Sequence, residues 1–276
     1  MTFFKIAQNK QVHLALDLLV FTLSFVNLIF WLTGKGLFYS DSGPVMSPFT
    51  SLSLMGMSGV RLASAKLVAW GKPMSLAILG IVSCGNISNI LMLTLVPSIV
   101  SEALPGIVPT SILTSVGLIF FCFYEILVLI RPSPKSYFIV DDILLHLALF
   151  PGGLSLLGHL LDSPTYLSSS IDPRVGISLF EMFFMGAFAV SSVLSNQDLF
   201  LWRFLEKNVN NKIIFSMLFL NQYILPAVIG LITMDTAPPR ILGLEFFVMI
   251  AGVLATLLFL SLSAAYYWKQ NPENIN

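Results

Sequence analysis

The chain has 276 residues, of which 56% are hydrophobic and only 10% charged, with mean hydropathy +0.88 and fourteen basic against fourteen acidic side chains. A water-soluble domain carries roughly 25% charged residues, so this composition cannot cover an aqueous surface and places the protein in a membrane. It also excludes a disordered chain, a coiled coil, a disulfide scaffold and a basic nucleic-acid binder.

A membrane-crossing helix needs about 20 mostly apolar residues. Eight runs qualify: 12–33, 48–66, 74–96, 109–130, 138–161, 175–195, 213–234 and 242–267. The first carries His13 and Asp17, one helical turn apart and able to share a hydrogen bond. The second is diluted by Ser47, Ser51, Ser53 and Ser58, whose hydroxyls can bond back to their own helix. Asn86 and Asn89 mark the third, and Glu125 the fourth, which also holds Cys122. Cys122 and Cys84, the only two cysteines, lie inside apolar runs and read as packing thiols. The fifth run repeats the one-turn pair as Asp142 and His146, and Pro151-Gly152-Gly153 near its middle predicts a hinge or partial unwinding. His159 ends that run, and Glu181 falls in the sixth. The connection 197–211 alternates apolar and charged residues and suits a short interfacial helix. Asn221 and Gln222 precede Pro226 in the seventh run, and Glu245 opens the eighth.

Charge sets the expected orientation. With the N-terminus inside, Lys5, Lys10, Arg61, Lys66, Lys72, Arg131, Lys135, Arg203, Lys207, Lys212 and Lys269 fall on the cytoplasmic side, and only Lys35, Arg174 and Arg240 outside. Both termini are then cytoplasmic, and the first run is a retained anchor because no small-residue cleavage site follows it. The outside-to-inside runs begin alike, at Pro48, Pro109, Pro173 and Pro239, spaced by 61, 64 and 66 residues. Proline suits a first helical turn, and Ser47 or Asp172 can cap the open amides. The expected architecture is one all-α membrane domain over 1–276, an eight-span bundle built as four helical hairpins. In that alignment Glu181 stands eight residues beyond its proline, where the first two copies have Gly56 and Gly117.

The run Met46-Ser47-Pro48-Phe49-Thr50-Ser51-Leu52 leading to Gly56, the stretch from Pro173 to Ala189, and the final pair built on Leu225-Pro226 and Gly230 resemble the multi-span membrane sensor modules of bacterial histidine kinases and diguanylate cyclases. The likeness covers most of 12–267, and it implies a sensory function in a bacterial inner membrane. The chain departs from that family after Trp268-Lys269-Gln270, where it stops within a few residues with no kinase or cyclase segment, so a signal is expected to leave through another protein.

Ionisable groups inside spans are functional candidates because an unpaired one costs a few kcal/mol or more. His13, Asp17, Glu125, Asp142 and His146 lie at similar depth near the cytoplasmic face, where two readings fit: a proton-responsive or metal cluster, and interfacial side chains reaching the headgroups. Glu181 and His159 are expected to line a polar cavity near the outer leaflet, and Asn221 and Gln222 give a second polar point beside Pro226. No GxSxG, HExxH or phosphate-loop motif appears and the three histidines are scattered, so neither an enzyme nor a cofactor or metal is expected. The expected function is a membrane-embedded sensory or ligand-responsive module, with lipid and either a protein partner or a second copy as its company. A small-solute transporter or an accessory or scaffold subunit is the alternative. Topology follows directly from the charge count: cysteines placed in 35–46, 98–107, 163–171 and 235–239 should react with a membrane-impermeant reagent from outside, and labelling of any of them only from the cytoplasm would overturn the orientation.

Overall fold

The computed structural model describes residues 10–34, 44–64, 71–95, 108–131, 139–161, 175–233 and 244–270. Every apolar run becomes a helix: α1 (Lys10–Leu32), α2 (Pro48–Ser64), α3 (Gly71–Leu95), α4 (Ile112–Ile130), α5 (Ile139–Leu160), α6 (Leu179–Ser195), the short α7 (Phe200–Lys207), α8 (Val209–Thr233) and α9 (Leu244–Gln270). No strand occurs among the described residues.

Six of these helices, α1, α3, α4, α5, α8 and α9, are long and apolar enough to cross a membrane, and α6 counts as a seventh if joined to α7 across a 70° bend. The expected eight spans are therefore met in part. α2 and α6 have 17 residues each, roughly 25 Å of helix against a hydrocarbon core of about 30 Å. Their polar content has a physical reason in the packing. Consecutive helices from α1 to α6 touch in order and α6 returns to α1, closing a ring, while α2 also reaches α4 and α6 across it. A helix surrounded by protein need not present a continuous apolar surface to lipid.

The centre of the ring is apolar. Leu54 and Met57 from α2 meet Leu118 and Phe121 from α4 and Phe184 and Phe188 from α6, all buried, with Phe121 and Phe188 edge to face at 5.1 Å. Outward faces are the reverse. On α8 the exposed residues Ile213, Met217, Leu220, Ile224, Val228 and Leu231 recur at three- and four-residue intervals along one side, and Leu254, Leu258 and Leu262 do the same on α9. Stripes of this size would drive aggregation in water, whereas hydrocarbon is their matching solvent.

Among the described residues α8 and α9 pair with each other and pack on the ring chiefly at α5, with α7 touching all three. Glycines set those approaches. A Cβ on Gly252 would stand 2.9 Å from the Gln222 Cα, and one on Gly153 would overlap the Tyr223 ring and sit 2.7 Å from Met249. α5 stays helical through Pro151-Gly152-Gly153, so the partial unwinding expected from sequence is replaced by close packing of α8 and α9 against Gly153. Gly80, in contrast, faces open space. Gly252→Val should therefore lower thermal stability in detergent by about 1–3 kcal/mol, the usual cost of overpacking, while Gly80→Ala should leave it unchanged or raise it by up to about 1 kcal/mol. Equal melting of the two variants would remove close packing as the reason for Gly252.

Candidate functional site

Along α2 the inward stripe Leu54, Met57 and Ser58 ends, one turn later, at Arg61. Its guanidinium lies inside the bundle, with the side chain 8% exposed. Nε donates to Asp17 Oδ2 on α1 at 3.0 Å; Nη1 donates to Glu125 Oε1 on α4 and to Ser192 Oγ on α6, each at 2.8 Å. Nη2 donates to Ser191 Oγ at 2.9 Å and Ser195 Oγ at 2.8 Å. All five N–H groups of the arginine thus have an acceptor, the condition for burying such a cation at tolerable cost. The Ser191 hydroxyl donates a hydrogen bond to Asp17 Oδ1 at 2.7 Å, and the guanidinium rests on the Phe188 ring at 5.2 Å. One cation faces two buried carboxylates, so the centre is short of one positive charge unless a proton or another cation joins it.

The network continues to the helix ends. Tyr124 donates to the Ser192 carbonyl at 3.3 Å, Asn196 donates to the Tyr124 hydroxyl at 3.3 Å, and Asp141 forms a two-pronged pair with Arg131 at 2.7 and 2.8 Å. We call this the basic end of the bundle.

Of the five residues expected to cluster there, Asp17 and Glu125 meet, joined by Arg61, which the charge pattern placed only among the cytoplasmic-side cations. His13 stands one turn from Asp17, and its backbone carbonyl lies 3.0 Å from the Ser191 hydroxyl as a second, longer acceptor for the same proton. Asp142 and His146 lie elsewhere. Each oxygen of the Asp142 carboxylate accepts one backbone amide, from Phe200 and Leu201, at 3.0 Å, which caps α7. His146 turns to α8, where its Nε2 lies 3.1 Å from Gln222 Oε1, and Thr256 of α9 donates to the same oxygen at 3.3 Å. The expected carboxylate–imidazole pairing on α5 is therefore replaced by two separate contacts, because α5 borders α7 and α8 as well as the ring. Gln222 is buried with its Nε2 unpartnered, whereas Asn221, a third of a turn away, is exposed and lines no interior space.

At the opposite end three helices start together. Ser47, Ser111 and Ser178 accept from the backbone amides of Thr50, Thr114 and Glu181 at 2.9, 3.0 and 3.2 Å, capping α2, α4 and α6. Ser47 and Thr110 touch through their hydroxyls at 2.6 Å, so the first two starts share one depth. This cap corrects the register read from the prolines: Pro48 opens α2, but Pro109 lies three residues before α4, and Asp172 and Pro173 fall outside the described residues. Glu181 accordingly sits in the first turn of α6 instead of two turns inside it. It completes a capping box by accepting the Ser178 amide at 3.1 Å through Oε2. Glu181 is fully buried; Thr50, Thr114 and the Ser47 amide lie near its carboxylate, yet none meets hydrogen-bond geometry with Oε1. His159 faces the Ile177 carbonyl at 3.3 Å, beside the α6 cap and not on Glu181 itself.

The chain matches no protein-family model, no curated protein and no solved structure.

The Arg61 centre makes a stability prediction. Removing one member of a buried ion cluster leaves charges without compensation and costs about 3–5 kcal/mol, whereas replacing all members together costs far less. Arg61→Gln should lower the unfolding free energy by that amount, and the triple variant Arg61→Gln, Asp17→Asn, Glu125→Gln should recover more than half of it. A triple variant no more stable than Arg61→Gln would show that the ions act independently.

Proposed function

We propose that this protein is a membrane-embedded sensory or ligand-responsive module that passes a relative shift of α2, α4 and α6 to a partner protein. The observation that carries this reading is the layering of those three helices. They start together at the shared caps around Glu181 and reunite around Arg61, with the Leu54, Phe121 and Phe188 layer packed between. A packed apolar layer does not deform smoothly, so a displacement at the capped end is transmitted along α2 and α6 as nearly rigid bodies. The Arg61 centre supplies alternatives at the receiving end. Neutralising one carboxylate by a proton or a cation frees guanidinium donors, which the three serines can then share differently.

In this reading all eight long helices cross the plasma membrane of a bacterium. Both termini and the Arg61 end face the cytoplasm, as the eleven-to-three division of basic residues suggests. The protein works by binding and movement, without catalysis. A small-solute carrier is the second reading, and it rests on the His146–Gln222–Thr256 contact, where the unpartnered Gln222 amide nitrogen marks polar capacity beneath the α8–α9 pair.

The two readings separate in one experiment. Purified with native lipids, the wild-type chain should retain a kinase or cyclase whose output changes in Glu181→Gln and Arg61→Lys variants that still fold. Reconstituted alone in liposomes it should carry no solute. Sustained solute flux through the isolated chain, or partner output indifferent to both substitutions, would defeat the sensory reading.

A further inference from the structure

α7 is strongly amphipathic, with Phe200, Trp202 and Phe204 buried and Glu206 and Lys207 exposed. Its position is fixed by Asp142, which holds its first amides, so it lies across the basic end between the start of α8 and the end of α9. These three helices enclose a pocket of about 430 Å³. Phe204 and Phe259, edge to face at 5.5 Å, form its floor. Arg203, Lys207, Asn211 and Tyr267 form its rim. Arg203 Nη1 donates to the Tyr267 hydroxyl at 3.2 Å, and the Lys207 ammonium stands 5.7 Å from the centre of the same ring, so one tyrosine holds both cations on one side of the opening. Glu206 lines only a wider cleft outside, of about 880 Å³, which Arg203 and Lys207 also border.

We propose that this pocket binds the headgroup of an anionic phospholipid, with the phosphodiester at Arg203 and Lys207 and the upper acyl chain over Phe204 and Phe259. Depth supports this occupant. Eight residues separate Phe259 from Tyr267 on α9, about 12 Å along the axis, so the site passes from headgroup level into hydrocarbon. A cationic rim above an apolar floor is the arrangement by which interfacial helices hold anionic lipid. A soluble phosphate would use the rim and gain nothing from the floor, and Glu206 in the outer cleft opposes a more highly charged anion. The lipid is the ligand that uses both halves of the pocket.

Native mass spectrometry of the delipidated full chain tests this with phosphatidylglycerol, phosphatidylcholine and inorganic phosphate as probes. One phosphatidylglycerol should be retained per chain, at least about tenfold more tightly than phosphatidylcholine, and Arg203→Gln with Lys207→Gln should weaken it about tenfold or more, since each cation near a membrane surface contributes roughly a fivefold factor. Lys207→Gln alone alters only an exposed side chain and should weaken retention severalfold with no change in melting, which keeps the test valid if the double variant folds poorly. Equal retention of the two lipids, retention unchanged in Lys207→Gln, or displacement of phosphatidylglycerol by inorganic phosphate would each overturn the proposal.

Discussion

A guanidinium cannot be buried in a helical bundle with open donors, and satisfying all five of them dictates the arrangement of the basic end. Arg61 draws one acceptor from α1, one from α4 and three from α6, so the four helices must approach at one depth and with one rotation. The small size of serine makes this possible: Ser191, Ser192 and Ser195 bring oxygen close to the guanidinium without pushing α6 away from α2. Desolvation opposes the arrangement, and the two carboxylates together with the Phe188 ring offset it.

The capped end solves a different problem with similar means. Three buried helix starts leave open amides, and serine caps answer them locally. Their partial positive charges converge where Glu181 is buried, so helix ends compensate a carboxylate that has no basic hydrogen-bond partner among the described residues. Between the two ends the contacts are apolar and close, as at Gly117, where a Cβ would overlap Met185 and come within 3.1 Å of the Ala148 carbonyl. Specific polar pairing fixes the register of the trio, and apolar packing fills the space between.

Helix positions were legible in the sequence because an apolar run of membrane length admits only one backbone solution in lipid. The interior was less so. Glu125 and Asp17 stood out as isolated charges, but Arg61, near the end of a serine-rich run, resembled an ordinary flanking cation. Its signal was rotational: it falls on the stripe of Leu54, Met57 and Ser58, and the matching serines cluster at 191, 192 and 195. Neither pattern reveals that the two helices touch, since such contacts join residues about 130 positions apart. The proline repeat found the correct parallel orientation of α2 and α4 with a register error of three residues, because proline tolerates sites just before a helix as well as inside its first turn. Asp142 misled for a related reason. Its role as a cap depends on α7, which folds back from a later part of the chain.

The order in which the chain is made bears on the Arg61 centre. Synthesis proceeds from the N-terminus, so α2 is made after α1 and before α3 to α6. Among the members of the Arg61 centre Asp17 therefore comes first, and the early hairpin can carry the cation as a neutral pair. Glu125 arrives with α4, and the serines only with α6, whose contact with α1 closes the ring. Assembly thus passes through intermediates in which the guanidinium gains its protein acceptors in steps, and all five donors are answered only once α6 has packed.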